Sequence, residues 1–336
     1  MTQTQPEFRR PSYFAANALF LLAAMGLVLL PPLAEALAVL LLRAFPKMSA
    51  EALLLWTSLV YYVPCVLLPA GVYIRRRRLW QAARLEQPLS PFSALLAVLA
   101  ALLCVPLGAD LAVLWEIPLQ RLGLIIPESD VYIPETARGL ALTVFYLGVV
   151  PGVAEELTFR GVILSAWERR GPVRAVLVSS LLFASLHGSV AGFPTQFMLG
   201  CVICLLAVGS GSVYAGMIFH TLYNSALLMA QYAAQRSTYV DAEALADDAL
   251  LRTDALAWLG GLPGLLSTLG QIALLGVILA LLLRAVWTRG RREGVVRPPR
   301  EPGGMTAQEA LVLLSGVVTV LFLYGTDLLD MLGVWT

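Results

Sequence analysis

Apolar positions along this chain come in long runs broken by short clusters of arginine, proline and glycine. The runs are mostly longer than 18 residues and carry few charges, which is the pattern of helices that cross a bilayer. Nine segments fit it: residues 14–42, 52–74, 92–115, 139–167, 173–191, 194–209, 212–232, 256–287 and 309–328. The first contains Pro31-Pro32 and is expected to kink or break there. The sixth is short and runs into the turn-like Gly209-Ser210-Gly211-Ser212, so eight spans is the alternative count. Short alternating strands, the mark of a membrane β-barrel, are absent from the pattern. The expected fold is therefore an all-α polytopic membrane protein, a helical bundle of eight or nine transmembrane helices around an intramembrane polar cavity.

Composition sharpens this. Of 336 residues, 59% are hydrophobic and 13% charged, too apolar for a water-soluble domain. The net charge of +1 says nothing about partners, but the placement of charge does. Arginines gather in alternate loops: Arg9 and Arg10; Arg75 to Arg78 with Arg84; Arg169, Arg170 and Arg174; and Arg284 to Arg300. The other loops hold only Arg43, Lys47, Arg121, Arg138, Arg236 and Arg252. By the positive-inside rule the N-terminus is expected in the cytoplasm and the C-terminus outside. Arg75–Arg78 reads as a topology anchor and not as a nucleic-acid patch, and no nucleic-acid partner is expected. The start of the chain reads as a first membrane helix, since its apolar run outlasts a signal peptide. The longest loops leave no room for a soluble domain. We expect one integral unit: N-terminal helices over 1–138, a core over 139–232, and C-terminal helices over 233–336. Cys65, Cys104, Cys201 and Cys204 all lie in apolar runs and read as packing residues.

Ionisable groups inside such spans are costly and mark candidate sites. Glu35 and Asp110 are single acids, read as residues of a helix break or interface. The fourth span differs, with Glu155, Glu156 and Arg160 in "AEELTFRG". Glu156 and Arg160 are one helical turn apart, acid first, and can neutralise each other. Glu155 lies about 100° around the helix and has no intrahelical cation. The chain has only two histidines, and both fall in or beside apolar spans. His187 follows Phe183 by one turn in "FASLH", and His220 precedes Asn224 by one turn in "HTLYN". Gly161, Gly188, Gly200 and Gly216 are small enough to let these helices approach closely.

Three chemistries suit the set. In hydrolysis, Glu155 and His187 would activate a water while His220 and Asn224 held the oxyanion. In a metal site, Glu155, His187 and His220 would hold zinc with a position left open. In a proton-coupled transporter, the same Glu, His and Arg residues would relay protons. Clustering in one third of the chain, without repeated halves, favours a single catalytic site. Depth is a difficulty: counted from the expected span ends, Glu155 falls in the inner half of the bilayer and His187 in the outer half.

The ordered trio Glu155-Glu156-x-x-x-Arg160, Phe183-x-x-x-His187 and His220-x-x-x-Asn224 resembles the CAAX protease and bacteriocin-processing (CPBP, or Abi) family, whose eukaryotic members are type II CAAX prenyl endopeptidases. The likeness covers roughly residues 140–232. It implies an intramembrane endopeptidase with a conical cavity, Glu155 and His187 acting on water and His220 and Asn224 on the oxyanion. Such proteins have been described as metalloproteases and as glutamic proteases. With Glu156 paired to Arg160, one carboxylate is left, and we expect it to serve as the base. No cofactor is expected with certainty, and zinc is the possible one. The expected partners are the lipid bilayer and a membrane-bound peptide or prenylated-protein substrate. The expected location is a bacterial inner membrane.

Overall fold

The structure is a computed structural model, described over residues 9–127, 132–236, 242–295, 301 and 303–334. Its described residues form helices and loops, with no strand among them. We number the helices α1 (Tyr13–Leu29), α2 (Pro31–Ala44), α3 (Ala50–Arg77), α4 (Pro91–Arg121), α5 (Ala137–Arg170), α6 (Pro172–Ser185), α7 (Phe193–Ser210), α8 (Val213–Arg236), α9 (Ala242–Thr253), α10 (Ala255–Trp258), α11 (Gly261–Arg292) and α12 (Ala307–Met331).

Local chemistry sets the helix ends. Ser12 caps α1, its hydroxyl accepting from the Ala15 amide at 3.1 Å. The chain then bends by 55° into α2, because Pro31 and Pro32 offer no amide to continue the ladder. Ser90 caps α4 ahead of Pro91, and Thr306 with Glu309 forms a reciprocal capping box on α12. Gly171, at a φ of 100°, turns the chain sharply between α5 and α6.

Among the described residues, six helices are long and apolar enough to cross a membrane, or seven if the bent α1–α2 pair is one span. This corrects the expected eight or nine. Of the nine expected segments, the fifth and seventh fall short. α6 has 14 residues, about 21 Å of helix against a hydrocarbon core of about 30 Å. α8 has 24 residues, but His220, Thr221, Asn224, Ser225 and Gln231 make it too polar to count as a lipid-facing span. α8 carries His220 and Asn224, and His187 lies two residues beyond the end of α6.

Burial separates inner from outer helices. In their apolar windows α4, α5 and α7 are 44%, 39% and 56% buried, whereas α11 and α12 are 11% buried. On α11, Leu262, Leu266, Leu274, Val277 and Leu281 make an exposed apolar stripe fit for lipid. α1 pairs with α12, α6 with α7, and α8 lies against α4 and the middle of α5. One packed cluster joins α1, α3, α5 and α6, and a second joins α4, α7, α8 and α11.

Candidate active site

α5 carries the paired acids, and its backbone widens around them. Phe145–Val149 and Leu157–Ile163 adopt π-helical turns, the irregularity that often marks functional sites. Between them Gly148 and Gly152, four residues apart, face α8. A methyl group on Gly148 would meet Ser225 Oγ at 2.8 Å, and one on Gly152 would strike Thr221. This Gly-x-x-x-Gly contact sets the distance between α5 and α8. It was legible in the sequence as "GVVPG", and the reading above passed over it.

Glu156 and Arg160 are both fully buried, and Arg160 Nη1 donates to Glu156 Oε1 at 2.9 Å. The expected pair is present, but it is larger than expected. His220 Nδ1 stands 3.0 Å from the same Glu156 oxygen. A carboxylate only accepts, so this ring nitrogen carries the proton and donates it. Arg160 Nη2 donates to the Gly200 carbonyl at 3.2 Å, and its guanidinium lies 4.4 Å from the centre of the Phe183 ring. Glu156 Oε2 is buried with no hydrogen-bond partner. A side chain on Gly216 would come within 2.6 Å of it, so Gly216 makes room for the carboxylate.

Phe183 joins the three motifs. Its ring packs edge-on against His187 at 5.0 Å, His220 at 5.7 Å and Phe159 at 5.3 Å between centres. These contacts, with the Arg160 guanidinium on the same ring, hold the groups at one level. α6 ends at Ser185, so His187 sits on the turn after a short helix and not at the far end of a full span.

His187 Nδ1 faces the Phe183 carbonyl at 3.0 Å. A carbonyl only accepts, so Nδ1 holds the hydrogen and Nε2 presents its lone pair. Asn224 Nδ2 donates to the Leu147 carbonyl at 3.0 Å, in the first π-helical turn. One amide hydrogen is used there. His187, His220 and Asn224 line one cavity of about 530 Å³, with Phe183, Tyr223 and Glu116 also in its wall.

Glu155 is half-buried and does not line that cavity. Its Oε1 accepts from the Tyr62 hydroxyl at 3.1 Å. It lies within electrostatic range of His187, as do His220 and Arg160. Tyr62, in a third π-helical turn over Tyr62–Leu67, is a contact of candidate residue Glu155 that the sequence reading missed. Two tyrosines in an apolar run gave the only signal.

Other expectations fare differently. Gly200 packs against Ser180 of α6, as a close-approach residue should. Gly188 instead serves a turn at a φ of 62°, and Gly161 makes only ordinary contact with Ala83 and Ile74. Glu35 is exposed on α2, away from the cluster. Cys201 and Cys204 are both free thiols within α7. No three His, Cys, Asp or Glu side chains among the described residues stand together as a metal site. The expected zinc set is drawn apart, with Glu155 held by Tyr62 and His220 by Glu156. Among the described residues the arrangement does not fit a three-ligand metal.

Residues 137–226 match the family of Rce1-like proteins, described as type II CAAX prenyl endopeptidase Rce1-like. The match runs from α5 into α8, a little over a quarter of the chain, and is consistent with the CPBP/Abi likeness of the three motifs. No curated protein and no solved structure matches the chain.

Proposed function

We propose that this protein is an intramembrane endopeptidase that cleaves membrane-associated peptides, CAAX-type or leader-peptide-like, with a water activated by Glu155 and His187. The observation that carries the proposal is that all six candidate residues, Glu155, Glu156, Arg160, His187, His220 and Asn224, fall within the Rce1-like match.

In this mechanism a water bridges Glu155 Oε2 and His187 Nε2. Tyr62 holds the other Glu155 oxygen and fixes the carboxylate. As the water oxygen attacks the scissile carbonyl, its proton passes to Glu155. The carbonyl oxygen becomes an oxyanion, and the spare Asn224 amide hydrogen donates to it together with His220 Nε2–H, a role in which the His220 ring carries both hydrogens, Nδ1–H on the Glu156 carboxylate and Nε2–H on the oxyanion. Such donors act most strongly in a site shielded from bulk water. Collapse of the tetrahedral intermediate breaks the C–N bond, and the proton on Glu155 moves to the leaving amine. Glu156 and Arg160 never touch the substrate. Glu156 holds the Nδ1–H of His220, which leaves Nε2 to serve the oxyanion, and Arg160 balances the buried charge.

In this reading the arginine-rich loops keep the N-terminus in the cytoplasm and the bilayer is a bacterial inner membrane. The test is cleavage of a membrane-anchored reporter peptide by purified protein, comparing wild type with Glu155→Ala, each with and without chelator. Loss in the variant and no effect of chelator support the mechanism. Loss with chelator would replace it with a metal mechanism, and full activity of the variant would end it.

A further inference from the structure

A larger cavity, of about 890 Å³, opens where α1 begins and where α3 and α5 end, away from the candidate active site. Its two ends differ in chemistry. At the polar end Arg9, Arg10, Arg77 and Arg169 line it, with Glu301 as the acid in its wall. Glu301 is shared: Oε1 lies 3.4 Å from Arg10 and Oε2 lies 3.5 Å from Arg169. Glu168, close to Arg10 in charge, is already held by Arg84 at 2.6 Å. Arg10 and Arg169 are engaged, but Arg9 and Arg77 are exposed and have no acid at ion-pair distance among the described residues, so two guanidinium groups remain at this end whose mutual repulsion an anion would relieve.

The geometry is held and not incidental. Arg169 Nη2 donates to the Pro11 carbonyl at 3.0 Å, and its guanidinium lies 5.7 Å from the centre of the Tyr13 ring. The Ser12 amide donates to Tyr73 Oη at 3.2 Å, tying the start of α1 to α3. Arg77 lines the cavity, whereas its neighbours Arg75 and Arg76 do not. The opposite wall is apolar: Phe14, Leu19, Leu22 and Pro69. Phe14 and Leu22 are exposed there, on the side of α1 that would meet lipid.

A basic end joined to an apolar, outward-facing wall suits an amphiphile. We propose that this cavity seats the phosphate headgroup of an anionic phospholipid, with its acyl chains along Phe14, Leu19 and Leu22. A zwitterionic lipid would bring a cationic group against the arginines. A free phosphate would leave the apolar wall unused. All four arginines belong to the loops expected on the cytoplasmic side, where anionic lipid attracts such residues. This assignment does not depend on the proteolytic reading.

The test is binding to the full-length protein in a neutral detergent, with dioctanoyl phosphatidylglycerol, dioctanoyl phosphatidylcholine and inorganic phosphate as the three probes. Wild type is compared with R9Q/R77Q, with R75Q/R76Q and with Leu22→Gln. Arg9 and Arg77 are exposed, so their loss should leave the fold intact. The expected result is selective binding of phosphatidylglycerol, weakened on the order of tenfold in R9Q/R77Q and changed less than about twofold in R75Q/R76Q, which removes the same charge beside the cavity. Leu22→Gln, which keeps every arginine, should also weaken it. Equal loss in the two arginine pairs would reduce the effect to surface charge and overturn the proposal. So would inorganic phosphate binding as tightly as phosphatidylglycerol, or full phosphatidylglycerol binding by Leu22→Gln.

Discussion

His220 on α8 and Glu156 on α5 are joined at 3.0 Å through the same carboxylate oxygen that receives Arg160. Three motif residues from two helices therefore share one buried oxygen. The Glu–Arg pair is more than a means of neutralising charge within a helix. It also commits the Nδ1 of His220 to the same carboxylate.

Glu156→Gln should therefore impair turnover more than binding. It keeps the shape of the side chain but removes the charge that balances Arg160 and orients His220. We expect kcat to fall by about 10²-fold or more, with KM changed little, and the protein to be less stable because the buried Arg160 loses its partner. Steady-state kinetics together with thermal unfolding in detergent check both parts. An unchanged kcat would mean that His220 needs no fixing.

Tyr62→Phe removes one hydroxyl, the donor to Glu155 Oε1. We expect kcat to fall on the order of tenfold while the unfolding temperature stays near wild type, since a single hydrogen bond contributes about 1 kcal/mol. Cleavage rates measured beside unfolding curves distinguish a fixed carboxylate from a merely filled space.

Gly148→Ala tests the close approach of α5 and α8. The added methyl meets Ser225 Oγ at 2.8 Å, so the helices must part or strain, at about 1–3 kcal/mol. Ser225→Ala removes that oxygen and should restore most of the loss in the double variant. Unfolding of the two single variants and the double variant gives the coupling directly.

Arg84→Ala should destabilise the core end of α5. The Arg84 guanidinium bonds to Glu168 at 2.6 Å, Ser165 at 2.9 Å and the Arg160 carbonyl at 3.3 Å, while the Arg84 carbonyl accepts from the Val213 amide at 3.1 Å. Removing one partner of a buried pair costs about 3–5 kcal/mol. The loss should be read as a fall in unfolding temperature, and Arg84→Ala/Glu168→Ala should lose less than the sum of the single variants.

These residues also mark what the sequence could and could not disclose. Glu155, Glu156, Arg160, His187, His220 and Asn224 stood out because charge in an apolar run is costly, and the i,i+4 spacing of Glu156 and Arg160 gave their pairing. The link from Glu156 to His220 spans 64 positions and leaves no local trace. Tyr62 reaches Glu155 across 93 positions in the same way. Arg84 read as one more loop arginine, although it is buried and paired. Apolar length alone overcounted the spans, because α6 stops after 14 residues and α8 turns polar side chains toward the protein. Hydropathy reports how much apolar sequence there is, but not which side of a helix meets lipid.

The central claim is that Glu155 supplies the base. It is tested most directly by single-turnover cleavage of a membrane-anchored reporter peptide by wild type and Glu155→Gln, with unfolding curves confirming that both are folded. The account predicts a loss of at least about 10³-fold in the variant with its unfolding temperature near wild type. Cleavage by Glu155→Gln within about tenfold of wild type would contradict it.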